Sequence, residues 1–186
     1  MEKPNDPYAR GPDEQLSLDG ASIPFWLLHV LALGVFFVPF RWSNVGAFLV
    51  AYCLGSFGIM AGYHRYFSHR SFKTGRVFQF VLAALGTLTS QKGVLWWSGH
   101  HRHHHKFSDT PEDIHSPRRG FFWSHALWFL APKYMETAPA QRKEFSQYPE
   151  LTFLNDRWAL GPVVLCATML ALGGLPWLFW GGFLAI

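Results

Sequence analysis

Cysteine is almost missing from this chain: Cys53 and Cys166 are the two, each inside an apolar stretch. Two isolated thiols make neither a disulfide framework nor a Cys-x-x-Cys zinc or redox pair. They also exclude a cysteine-held iron–sulfur cluster within these 186 residues. Charge is scarce as well, at 15% of residues against roughly a quarter in an average soluble domain. Gly-x-Gly-x-x-Gly nucleotide loops and haem-attachment sequences are absent, so redox chemistry here has to draw its electrons from another molecule. No acid stands among the histidines in the His-Glu-x-x-His pattern of zinc hydrolases. That removes the membrane zinc hydrolases from consideration.

What the chain has instead is apolar and aromatic, 49% and 18% of residues. A mean hydropathy of +0.07 averages over uncharged segments that alternate with a basic one. Residues 1–22 form a polar tail in which Glu2, Asp6, Asp13, Glu14 and Asp19 stand against Lys3 and Arg10, five negative and two positive for a net of −3. A secretory signal would carry a positive start directly before its apolar core, and this tail does not. It is expected to be mobile or to lie on the surface.

Residues 23–186 read as one domain. Ile23 to Phe40 is an 18-residue apolar run interrupted only by His29, and Val45 to Tyr63 gives 19 residues without charge. A helix needs about 20 apolar residues to cross the hydrocarbon core, so the two predict a membrane hairpin joined by Arg41-Trp42-Ser43-Asn44, with Trp26 and Trp42 as interface anchors. Trp158 to Ile186 is uncharged for 29 residues and contains the breaker Gly173-Gly174-Leu175-Pro176. This predicts a third span at about 158–172, a turn, and the first ten or so residues of a fourth. A half-helix ending in hydrocarbon leaves carbonyls unsatisfied, so the sequence reads as cut short at its C-terminal end.

Between His64 and Arg157 lie 13 of the 16 lysines and arginines. The positive-inside rule puts that region and the tail in the cytoplasm. Topology and anionic lipid account for the basic balance, and nucleic acid is not needed. Val77 to Gln91 and Gly120 to Pro132 are too short to span and predict helices lying at the interface. The 133–157 stretch reads as a solvated connector. The fold class is all-α: an integral membrane helical bundle of about three full spans and the start of a fourth, with a cytoplasmic helical cap.

Histidine is the residue with no place in this pattern. Five of the ten fall between Trp96 and Phe107, and His64 and His69 stand where the second apolar run ends. Imidazole is the commonest protein ligand for iron, zinc and copper. On a helix His101, His104 and His105 fall within about 100° of arc, whereas His103 points away and His100 lies to one side. His64 and His69, five apart, are about 140° apart on an α-helix. They either serve two ions or meet one ion where the helix ends. His29 reads as a packed or interfacial residue.

These segments resemble the membrane fatty acid desaturases, the acyl-CoA and acyl-lipid delta-9 type above all. Gly-Tyr-His64-Arg-Tyr-Phe-Ser-His69 resembles the first histidine box, His101-Arg-His-His104-His105 the second, and Arg118-Arg119-Gly-Phe-Phe-Trp-Ser-His125 the segment that follows it. The resemblance implies an O₂-dependent desaturase with two non-haem iron ions on the cytoplasmic side. His64, His69, His101, His104 and His105 would be ligands. The family's third box, after a fourth span, has no counterpart here, since no histidine follows His125. Where acyl-CoA members carry Arg-Asp and Ala-Asp-Pro-His, this chain has Gly99-His100 and Glu112-Asp113-Ile114-His115, which leaves acyl-CoA, acyl-lipid and acyl-carrier substrates open. The implied partners are a fatty acyl substrate, the bilayer and an electron donor of ferredoxin or cytochrome-b5 type docking on the basic face. Trp96, Trp97 and the Phe-rich 121–129 segment are candidates to line an acyl tunnel, or simply pack. A histidine-box hydroxylase or ketolase shares the same ligand spacing, and a fragment lacking the third box would be inactive.

Overall fold

The computed structural model describes residues 11, 14, 22–136 and 144–186, and every regular element among them is helical. Pro24 opens α1 (Ile23–Ala32), where a missing N–H costs nothing. A 3₁₀ segment, Leu33–Phe37, continues it and stops ahead of Pro39. The combined helix is ten plus five residues, shorter than the full crossing expected of the 23–40 run. Trp42 begins α2 (Trp42–Phe57), which runs on as a π-helix over Gly58–Ser68. Together they make 27 residues, long and apolar enough to cross a membrane.

A second segment passes the same test, Leu160–Leu184, but it is not one straight rod. It begins as α6 (Leu160–Trp177) and turns sharply at Gly174, whose φ of 65° and ψ of −158° suit a residue without Cβ. The following limb, Leu178–Leu184, comes back along α6: Gly182 lies on Cys166 and Gly181 on Met169. Residues so far apart in sequence would be about 24 and 18 Å apart on a continuous helix, so the chain has reversed where Gly173-Gly174-Leu175-Pro176 predicts a turn. Ala47, Ala51, Leu165 and Met169 form the core between α2 and this hairpin.

The second half of the molecule is built on the π extension. There α3 (Arg76–Thr87) crosses it so closely that a Cβ on Gly58 would meet the Gly86 backbone at 2.3 Å, and one on Gly86 would meet the Tyr63 ring at 2.2 Å. Buried Gln79, Leu82 and Ala83 face inward, and Val77, Phe78, Phe80 and Val81 stay exposed, the two-faced pattern of a helix lying at an interface. Next comes α4 (Val94–Phe107), the histidine helix. Its unsatisfied first-turn N–H groups at Leu95 and Trp96 donate to Asn155 Oδ1 (3.1 and 2.9 Å) on α5 (Pro149–Asp156). Leu151 of α5 is fully buried, in one core with Tyr63, Phe67, Leu82 and Val94.

Two expectations need correcting. The 133–157 stretch is no solvated connector, because its described part supplies Phe145, Leu151 and Asn155 to the packing around α4. The 120–132 run is helical as expected, continuous over residues 121–130 with π geometry at Trp123–Leu127 and 3₁₀ geometry at Trp128–Leu130; Ala131 ends it ahead of a separate turn, Pro132–Tyr134. Trp123 turns inward from it, its Nε1–H donating to the Ile114 carbonyl at 3.0 Å. Glu14, assigned to a surface tail, is 2% exposed. Its carboxylate takes hydrogen bonds from Gly11 N–H, Arg119, Lys133 and the Tyr134 hydroxyl. Burial alone would raise that carboxyl; the Lys133 and Tyr134 hydrogen bonds and the Arg119 charge hold it down to about 2.

Candidate metal centre

Four imidazoles meet where the π-helix ends against α4. His64, His69, His101 and His105 each offer a ring nitrogen, and these nitrogens lie within 4.8 Å of one another. His101 Nε2 is 3.2 Å from His69 Nε2 and 3.0 Å from His105 Nε2. Two nitrogens about 2.1 Å from a shared first-row ion, at angles near 90–110°, lie about 3.0–3.4 Å apart. These two pairs are therefore spaced as ligands of one ion would be. His64 Nδ1 is buried with no hydrogen-bond partner, an orphan such as an ion would satisfy.

Local backbone chemistry explains the convergence. In the π-helix the hydrogen bond runs i→i+5, as His69 N–H does to the His64 carbonyl (3.1 Å). Residues five apart then stand nearly one above the other, with the His64 and His69 ring centroids 4.6 Å apart. The 140° separation of an α-helix does not arise, and the two rings belong to one group of imidazoles. On α4, His101 and His105 are i, i+4 neighbours with ring centroids 4.5 Å apart. Burial, followed by the neighbouring His105, His64, His69 and His104, pushes His101 down to about 3. It is thus the neutral imidazole that a metal requires at neutral pH.

His104 does not join that group. It belongs to a second one with Asp113 and His115, residues that sequence spacing passed over as ligands. Its Nδ1–H donates to Asp113 Oδ1 at 2.8 Å, and its ring stacks on His115 with centroids 4.0 Å apart. Asp113 is fully buried, and its oxygens also accept from Asp109 N–H (3.0 Å) and His115 N–H (3.2 Å). A carboxylate so engaged orients a histidine, fixing which ring nitrogen is left as a ligand atom. The only sequence signal was the Asp-x-His pattern nine residues beyond His104. The other two histidines are tied to backbone carbonyls, His100 to Trp96 (2.9 Å) and His103 to Glu112 (3.0 Å). His29 likewise bonds the Phe25 carbonyl at 2.8 Å.

Beside the four histidines lies a cleft of about 1010 Å³ with a mostly apolar lining. Trp96 and Trp97 both line it, as do Phe25 and Leu28 of α1, Trp128, Phe129 and Phe183. Trp97 connects cleft to cluster: its ring stacks on His101 at 4.6 Å and its Nε1–H donates to Gln91 Oε1 at 3.1 Å. Trp96 is fixed by Nε1–H donation to the Tyr134 carbonyl (2.7 Å) and by stacking on Trp128 (5.5 Å). Phe121 and Phe122 are exposed at 70% and 74% and lie outside the lining.

A family model described as fatty acid desaturase matches residues 40–186. Over 173 residues the chain is 38% identical to the sn-1 stearoyl-lipid 9-desaturase of Synechocystis sp., covering 87% of this chain and 52% of that protein. It is 35% identical over 164 residues to the acyl-CoA 5-desaturase AL21 of Anemone leveillei (83% and 49% covered). With delta-9 acyl-lipid desaturase 2 of Arabidopsis thaliana the identity is 33% over 162 residues (83% and 51%). The chain thus spans about half the length of these curated relatives.

Proposed function

Because the chain belongs to the fatty acid desaturase family, we propose that it is an oxygen-dependent fatty acyl desaturase, or the part of one that carries its first two histidine boxes. Its reaction introduces a double bond into a long acyl chain at a histidine-held pair of irons. The observation that carries this reading is the contact between cleft and cluster: Trp97 lines the apolar groove and stacks on His101. One ion would be held by His64, His69, His101 and His105; His104, oriented by Asp113, would serve the second. When bound, the irons supply the oxidising power, with O₂, that removes two hydrogens from an unactivated chain. The protein's part is positional. The aromatic walls exclude water and hold the chain extended, so that one stretch of methylenes faces the imidazoles.

The remaining assignments belong to the same reading. The domain runs from 23 to 186, with the histidines on the cytoplasmic side of a bilayer crossed by α2 and by the α6 hairpin and flanked by α1. Relatives named for both acyl-lipid and acyl-CoA substrates leave either as the substrate class. Electrons come from a ferredoxin or cytochrome-b5-type donor docking on the basic 64–157 face. The test is product analysis of the purified, iron-loaded protein supplied with a reductant and O₂. Loss of two hydrogens from the acyl chain is expected. Gain of one oxygen would assign a hydroxylase instead, and no product from a protein with fewer than two irons per chain would mark an inactive fragment.

A further inference from the structure

The cleft's lining contains one formally charged side chain among the described residues, Lys92. It sits just ahead of α4 in the left-handed region, at φ 64°, and its carbonyl accepts the Tyr63 hydroxyl at 3.2 Å. Its backbone is therefore pinned to Tyr63, the residue before His64. Among the described residues the ammonium meets soft partners: Met135 Sδ at 3.2 Å and the Trp96 ring, 4.5 Å from its centroid. No carboxylate among the described residues pairs with it. A thioether is a weak acceptor, and an indole face compensates only part of an ammonium's lost hydration. Burial pushes the group down to about 8, so it is still mostly charged at neutral pH.

An apolar groove with one under-satisfied cation suits a molecule with a long hydrocarbon tail and one oxygen-bearing end. We propose that Lys92 is the head anchor of the cleft, its ammonium donating to a carboxyl-end oxygen of an acyl chain whose tail lies along the aromatic wall toward Trp97. The anchor rests on the reading of the cleft as an acyl site. It adds which end of the chain is held, and by which atom.

Quenching of cleft tryptophans tests it without metal or turnover. The full chain, metal-free in detergent, is titrated with dibromostearate, with its methyl ester and with dibromooctadecane, which has no head. Lys92→Met is expected to weaken dibromostearate about tenfold, the scale of a hydrogen bond to a charged group, and to leave the hydrocarbon unchanged. Lys92→Arg restores the acid. A matching loss for the ester assigns the carbonyl oxygen, which acyl-lipid and acyl-CoA share, as the held atom, and an ester indifferent to Lys92→Met overturns the anchor. An unchanged acid, or a hydrocarbon that weakens as much as the acid, overturns the anchor. Lys92-dependent head preference in a protein that forms no double bond would leave the anchor standing and remove the desaturase reading. Double-bond formation with a head preference indifferent to Lys92→Met would do the reverse.

Discussion

Replacing His101 with alanine removes the nitrogen that faces both His69 and His105. Iron bound per chain, measured by elemental analysis, is expected to fall by about one ion. His103→Ala should leave iron content unchanged, because that ring is engaged with the Glu112 carbonyl. For Asp113→Asn the shape is kept and the charge is lost, so His104 loses its strong acceptor. A competitive chelator titration should then read a roughly 10–100-fold loss of affinity at one site, with the helical circular dichroism spectrum unchanged. Sequence spacing grouped His101, His104 and His105 because all three share one helical face. The split of that face between two clusters depends on Asp113, buried nine positions downstream, and helical geometry alone gives no hint of it.

At the scale of elements, the π-helix is what brings His64 to His69. Deleting Ile59 should be absorbed by a return of the segment to i→i+4 bonding, which sets His64 and His69 about 140° apart as on an α-helix. The expected result is a folded protein in which α2 keeps its packing but the His64–His69 pair no longer converges, read as lost iron binding at nearly unchanged helix content. Gly86→Ala places a methyl against the Tyr63 ring; overpacking of this kind costs about 1–3 kcal/mol, and a lower melting temperature in detergent checks it. The turn at Gly174 was legible, because Gly-Gly before Leu-Pro has few other readings. The π-helix was not, since its sequence is that of an ordinary apolar helix and only packing against α3 and α4 reveals the wider ladder.

For the whole molecule, Glu14 is the contact that composition concealed. One acid in a polar tail carries no periodicity, and its partners Arg119, Lys133 and Tyr134 lie far along the chain. Glu14→Gln leaves Arg119, itself 8% exposed, without its countercharge, at a cost of about 3–5 kcal/mol. The folded carboxyl is held at about 2 against an ordinary value of 4.5. Its contribution is therefore complete above the ordinary value and lost as pH falls through the folded one. Denaturant unfolding of the two proteins side by side should show the full gap near about pH 6 and a shrinking one below about pH 4.

The same contact sets an order in time. Glu14 leaves the ribosome 105 residues before Arg119 and 119 before Lys133, a wait on the order of ten seconds at ordinary synthesis rates. Through that interval α1, α2 and the histidine helix are made before the partners of Glu14 exist. The ion pair of Glu14 with Arg119 and Lys133 forms only after the histidine helix has been made.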